Sequence, residues 1–190
     1  MKLFTNIYDY IIDLAHRENV TRYLYGLSFI ESIFFPIPPD VLLAPIALTK
    51  KYNWIKIAFY TTFYSVVGGL VGYVIGLYLY ELSILNSIIK ESVFLEVKNL
   101  FDKHGVTIMI IAGFSPLPFK AFTITAGYMS LPIILFIASS FIGRSLRFFL
   151  VAALFHYLGE SIANKIKKYF EYIGWTVVII FLFIIFSKYF

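Results

Sequence analysis

The feature that most constrains this chain is a run without charge from Ile57 to Tyr80, 24 residues long. A helix needs about 20 apolar residues to cross the hydrocarbon layer of a bilayer, so this run is long enough alone. A second uncharged run, Ile173 to Ser187, is shorter and approaches that length only when its aromatic ends are counted, Trp175 just inside it and Tyr189 just beyond it. Across the 190 residues 60% are hydrophobic and 14% charged, and the mean hydropathy is +0.83. A soluble domain carries far more charge, so a bilayer is the natural solvent for the chain.

The net charge of +5 does not point to nucleic acid, because the 16 Lys and Arg are scattered between apolar blocks and form no basic stripe. There is no Cys, which removes disulfides, thiolate metal sites and thiol catalysis. The three histidines, His16, His104 and His156, fall in different segments, and no zinc-protease or nucleophile-elbow motif accompanies them. The expectation is therefore no enzyme, no metal and no cofactor.

Two interruptions organise the apolar sequence. From Tyr23 to Thr49 it is broken by Glu31 and by Pro36, Ile37, Pro38, Pro39, Asp40. Prolines so close together stop a helix, since each lacks an N–H and disfavours helical geometry in the residue before it. The flanks, Tyr23 to Phe35 and Val41 to Thr49, are then half-length pieces that reach about halfway through a 30 Å layer at 1.5 Å per residue. A re-entrant hairpin with its tip near mid-membrane is predicted. The second interruption follows Val106 to Gly113 and reads Phe114, Ser115, Pro116, Leu117, Pro118, Phe119, Lys120, at an offset of 80 residues from the first, with a charge of opposite sign in the same slot.

The pattern predicts one all-α membrane domain over 1–190: an N-terminal amphipathic helix (1–20), a first repeat (21–80), an interfacial amphipathic helix (81–105) ended by Gly105, a second repeat (106–158), and a C-terminal amphipathic segment and helix (159–190). Each repeat is a re-entrant hairpin followed by a spanning helix, Ile57 to Tyr80 in the first and Leu131 to Leu158 in the second. Because a hairpin adds no net crossing and the spanning helix adds one, the second hairpin must enter from the opposite face, and the repeat is inverted. Gly68, Gly72 and Gly76 give the small-residue spacing that lets another helix come close, either within the chain or in a homo-oligomer. On this topology nine Lys and Arg, including Arg17, Arg22 and Lys50, share one face against Lys90, Lys98, Lys103 and Lys188 on the other, which places the N-terminus in the cytoplasm.

Five charged residues fall inside the apolar layer: Glu31, Asp40, Lys120, Arg144 and Arg147. Each costs about 2.5 to 3.5 kcal/mol at a helix centre on insertion scales, so they are expected to cluster. Arg144 and Arg147 are three apart and share a helix face, so two guanidinium forks can meet one oxyanion or the carboxylates of the first hairpin. If the cluster is more than a set of neutralising ion pairs, Arg144, Arg147 and Lys120, with Ser115 beside them, would hold an anionic group such as a lipid phosphate. Glu31 and Asp40 would carry protons, because burial favours the protonated form of a carboxylate and a nearby guanidinium the charged one.

At these residues the chain resembles the DedA family of SNARE-associated, VTT-domain membrane proteins, in particular its shorter, YqaA-like branch. The likeness rests on Glu31 before the Pro36 to Asp40 turn, on Phe114 to Lys120, and on Gly143, Arg144 and Arg147, and it spans roughly residues 20 to 160. It implies opposed re-entrant hairpins, a multi-pass location in a bacterial inner membrane, and proton-linked translocation of a phospholipid or polyprenyl phosphate. Its functional acids and bases map onto Glu31, Asp40, Lys120, Arg144 and Arg147. Many family members carry arginines on both sides of the second proline turn, where this chain has Ser115 and Lys120. An ion or proton antiporter without lipid specificity and a non-transporting membrane scaffold are the competing readings.

Overall fold

The computed structural model describes residues 13–15, 17–78, 91–115, 117–157 and 159. Most of the predicted helices at 1–20 and 159–190, the first half of the one at 81–105, and Pro116 lie outside the described residues. Among those described there are helices and turns and no strand. The helices are α1 (Val20–Glu31), α2 (Asp40–Leu48), α3 (Trp54–Tyr78), α4 (Glu91–His104), α5 (Thr107–Phe114), α6 (Phe119–Tyr128) and α7 (Ile133–Tyr157).

The proline runs act as expected. After α1 the amides of Ile33, Phe34 and Phe35 all turn back on the carbonyl of Ile30, and α2 starts immediately after Pro38 and Pro39. The second run separates α5 from α6 in the same way, with Pro118 in extended geometry just before Phe119. Pro45, by contrast, lies inside α2 without ending it. Asn53 moves the start of the first long helix to Trp54, three residues ahead of the uncharged run, because its Oδ1 accepts the amides of Ile55 and Lys56 at 2.9 and 3.2 Å. Gly105, at φ +58°, closes α4 as predicted, with its amide on the Phe101 carbonyl.

The two long helices, α3 and α7, are the two that are long and apolar enough to cross a membrane among the described residues. They run antiparallel. The Trp54 ring meets that of Phe149, Phe59 meets Phe141, and Tyr73 lies 4.9 Å from Phe136 with its hydroxyl on the Leu131 carbonyl. Large apolar side chains such as Phe63, Val74, Ile134, Leu146 and Leu150 remain exposed along both helices, as lipid-facing surfaces require.

The short helices divide the long ones between them. α1 follows the first half of α3, where Ser28 Oγ donates to the Thr61 carbonyl (2.8 Å) and Ser32 pairs with Ser65 (2.8 Å). α6 follows the second half, where Thr123 meets Gly69 and Gly72 and Ile124 meets Gly76. On α7 the division is repeated: the α5 residues Ile110 and Gly113 lie against Gly143, and Leu43, Ile46 and Ala47 of α2 share a core with Phe148 and Ala152. Both proline turns therefore arrive beside the middles of α3 and α7. The starts of the corresponding helices, α2 with α6 and α3 with α7, are both 79 residues apart (119 − 40 and 133 − 54).

Backbone contact makes this possible. A Cβ on Gly68 would strike the Phe29 carbonyl of α1, one on Gly72 the Thr123 hydroxyl, and one on Gly76 the Ile124 carbonyl of α6. All three glycines thus pack inside the chain. A Cβ on Gly26, on the exposed side of α1, would meet nothing within 4 Å. We expect Gly76→Ala to cost about 1–3 kcal/mol through overpacking, seen as a lower thermal midpoint in detergent, and Gly26→Ala to leave the midpoint unchanged or raise it.

Candidate functional site between the two proline turns

Where the turns meet, all five charged residues of the apolar segments converge, in two acid–arginine pairs and a lone lysine. Arg144, on α7, has a side chain only 2% exposed. Its Nη2 donates to Glu31 Oε2 at the end of α1 (2.5 Å) and its Nε to Ser65 Oγ in the middle of α3 (2.6 Å). The Phe119 and Phe148 rings lie 4.6 and 4.7 Å from the guanidinium carbon. The enclosed cation is met in each direction by a partner: a carboxylate, a hydroxyl, and two aromatic rings.

Arg147, one turn further on, is 19% exposed and reaches Asp40, 21% exposed, at the first residue of α2. Its Nε and Nη2 both fall on the single oxygen Oδ2, at 3.0 and 2.5 Å. Its Nη1 donates to the backbone carbonyl of Ser115 in the other turn (2.7 Å). Lys120, in the first turn of α6, donates from Nζ to the Phe34 carbonyl in the first turn (2.8 Å). The two proline turns are thus tied to one another and to α7 through cations on carbonyl oxygens.

Between them is a partly open cleft of about 350 Å³, bordered by Glu31, Phe35, Pro36, Pro38, Leu117, Pro118, Lys120 and Arg147. Pro39 sits behind this border as the residue preceding α2. Ser115, expected to offer its hydroxyl, instead offers its carbonyl to Arg147; its buried Oγ has no partner, and neither has Asp40 Oδ1. The N-terminal ends of α2 and α6 both adjoin the cleft, and helix N-termini favour negative charge.

Sequence reasoning missed the residues around Arg144: Ser65, Phe119 and Phe148, with Ser32 bonded to Ser65 behind it. Ser65 left a trace as a hydroxyl within the small-residue face of α3. Phe148 is four residues from Arg144 and so on its helix face.

The family model of the VTT domain matches residues 37–157, a stretch that begins within the first turn and covers the second turn and both long helices. The chain belongs to the VTT-domain, or DedA, family. It is 39% identical over 184 residues to an uncharacterized protein of Haemophilus influenzae, and 38% identical over 184 residues to the HI0703 homolog of Histophilus somni, likewise uncharacterized. In each case the match covers 95% of this chain and 95% of the relative. No solved structure matches. VTT-domain proteins are membrane proteins generally assigned as transporters and are not an enzyme family.

Of the two ion pairs in this VTT-domain protein, that of Arg144 is the more enclosed. Glu31→Gln leaves a buried guanidinium uncompensated, and we expect a loss of about 3–5 kcal/mol, measured as unfolding in micelles. Adding Arg144→Met to Glu31→Gln is expected to recover most of it, since the paired removal leaves no lone charge.

Proposed function

We propose that this VTT-domain protein moves a lipid carrying a phosphate group, a phospholipid or a polyprenyl phosphate, between the leaflets of a bacterial inner membrane, and that protons drive the movement. The observation that carries the reading is the charge balance of the site. Lys120, Arg144 and Arg147 stand against Glu31 and Asp40, so one unit of positive charge is left over beside an open cleft. In an apolar layer an unbalanced cation is costly, and an anion that enters removes the imbalance. A phosphate suits the donors: Arg147 supplies a planar fork, Lys120 a point charge, and two helix N-termini point the same way.

Placement supports movement across the bilayer rather than adsorption at one surface. The turns adjoin the middles of α3 and α7, the two helices of spanning length. If the hairpins enter from opposite leaflets as an inverted repeat, the cleft lies at mid-depth, where broken helices of secondary transporters build their sites. A headgroup there is halfway between the leaflets, and a shift of one hairpin against α7 would open the cleft toward one side or the other. The excess of Lys and Arg on one face puts the N-terminus in the cytoplasm on this reading.

The test is reconstitution into vesicles containing fluorescent phosphatidate or a labelled prenyl phosphate, with the outer leaflet followed by a membrane-impermeant quencher. We expect transbilayer movement above that of empty vesicles, accelerated by an imposed pH gradient. Lys120→Met and Arg147→Met should each lower the rate by about tenfold or more, the worth of a charge-assisted hydrogen bond to phosphate. Movement equal to that of empty vesicles refutes lipid translocation; proton flux without lipid movement would instead identify an antiporter, and neither flux a scaffold.

A further inference from the structure

The two acid–arginine pairs carry the same charges but differ in what they touch. Arg144 does not border the cleft, and of its partners only Glu31 does, while Ser65, Phe119 and Phe148 lie inside the helix packing. Because Ser65 Oγ accepts Arg144 Nε–H, its own proton can go to Ser32 Oγ, 2.8 Å away. Ser32 in turn can donate to the Ser28 carbonyl (3.0 Å) or to Glu31 Oε2 (3.3 Å). Glu31 borders the cleft, yet its Oε2 is held by Arg144 and lies within reach of Ser32, and nothing entering the cleft competes for Arg144. This pair has no reason to come apart.

Arg147 does border the cleft, and its hold on Asp40 is incomplete. Two of its N–H groups share Oδ2, while Oδ1 is buried without a donor. A phosphate offers a guanidinium two oxygens in the spacing of its fork, a better match than one shared oxygen. The charged groups around Asp40 are Arg147 and, one turn earlier on α7, Arg144, which is committed to Glu31, with Lys120 from α6 and Glu31 from α1 around the adjoining cleft. Lys120 is already on the Phe34 carbonyl. An anion that draws Arg147 away thus leaves Asp40 as a largely buried carboxylate with no cation hydrogen-bonded to it, since Arg144 stays on Glu31.

We infer that Asp40 is the carboxylate that takes up a proton when an anion enters the cleft, while Glu31 remains ionised as the standing counter-ion of Arg144. The inference rests on the anion-binding reading above and gives it a stoichiometry. The step is a simple exchange: the anion takes the Arg147 N–H donors from Asp40, and the Asp40 carboxylate binds one proton to become the neutral acid. Anion and proton enter together, so anion affinity rises as pH falls.

The experiment is calorimetric titration of the full-length protein in micelles with dihexanoyl phosphatidylglycerol, and separately with dimethyl phosphate. Both are phosphodiesters of fixed charge, so any proton taken up belongs to the protein. Buffers of different ionisation enthalpy count the protons. The expected result is uptake of about one proton per lipid and an affinity that falls by up to about tenfold per unit rise in pH. Asp40→Asn should bind at least as tightly, with no uptake and a flat pH profile. Because Glu31→Gln is destabilising, infrared difference spectra of the wild-type protein supply the companion measurement: the protonated carboxyl band that appears with ligand should shift with 13C-aspartate and not with 13C-glutamate. Proton uptake that survives Asp40→Asn, or a band that follows the glutamate label, overturns the inference and leaves the anion site standing. Failure of both probes to bind wild-type protein overturns the site and the inference with it. Equal proton-linked binding of dimethyl phosphate supports the same step for an anion without tails.

Discussion

A guanidinium in an apolar interior cannot be left alone, and Arg144 is the side chain around which this fold is arranged. It is among the largest fully buried side chains and the only charged one in that group among the described residues. Its partners come from separate elements: Glu31 at the end of α1, Ser65 at the middle of α3, Phe119 at the start of α6 and Phe148 on α7 itself. Each partner has to be at one depth for the set to close. An arginine placed here therefore sets how far α1 and α6 extend along α3, which hydrophobic packing alone leaves open to sliding.

The close approach of backbones is the other half of the same arrangement. Gly68, Gly72 and Gly76 bring α1 and α6 against α3 so tightly that a methyl group would collide, and Gly113 and Gly143 do the same for α5 and α7. In a lipid environment, where apolar contact offers little advantage over contact with acyl chains, such approach is what makes helices prefer one another. The 79-residue correspondence extends into the site, since Ser65 and Arg144 stand that far apart (144 − 65) and bond to each other.

Much of this was readable from residue order. The uncharged run marked α3, paired prolines marked the turns, and the cost of charge in an apolar layer required Glu31, Asp40, Lys120, Arg144 and Arg147 to meet. What could not be read depended on geometry that is shared between distant residues. Arg144 and Arg147 lie on one face, so either could have paired with either acid; the depth of α1 relative to α2 decides. Arg147 and Lys120 engage the backbone carbonyls of Ser115 and Phe34, which carry no sequence signature. The start of α3 depended on a local competitor, Asn53, whose side chain caps amides that hydropathy does not register. Pro45 shows the limit of the proline rule: isolated within a short helix it is tolerated, while Pro36, Pro38 and Pro39 together are not.

The manner in which the turns are fastened has a consequence for how the site could work. Lys120 on Phe34 and Arg147 on Ser115 bind carbonyl oxygens that are already part of the backbone, so both contacts can be exchanged without leaving a buried charge on the acceptor. The same cations border the cleft. A ligand anion would thus replace weak, neutral acceptors and half of one ion pair, while Arg144 and its carboxylate stay in place as the fixed point. A site built in this way is stiff where the helices cross and loosely held where the turns touch, the distribution that hinged opening of one hairpin requires.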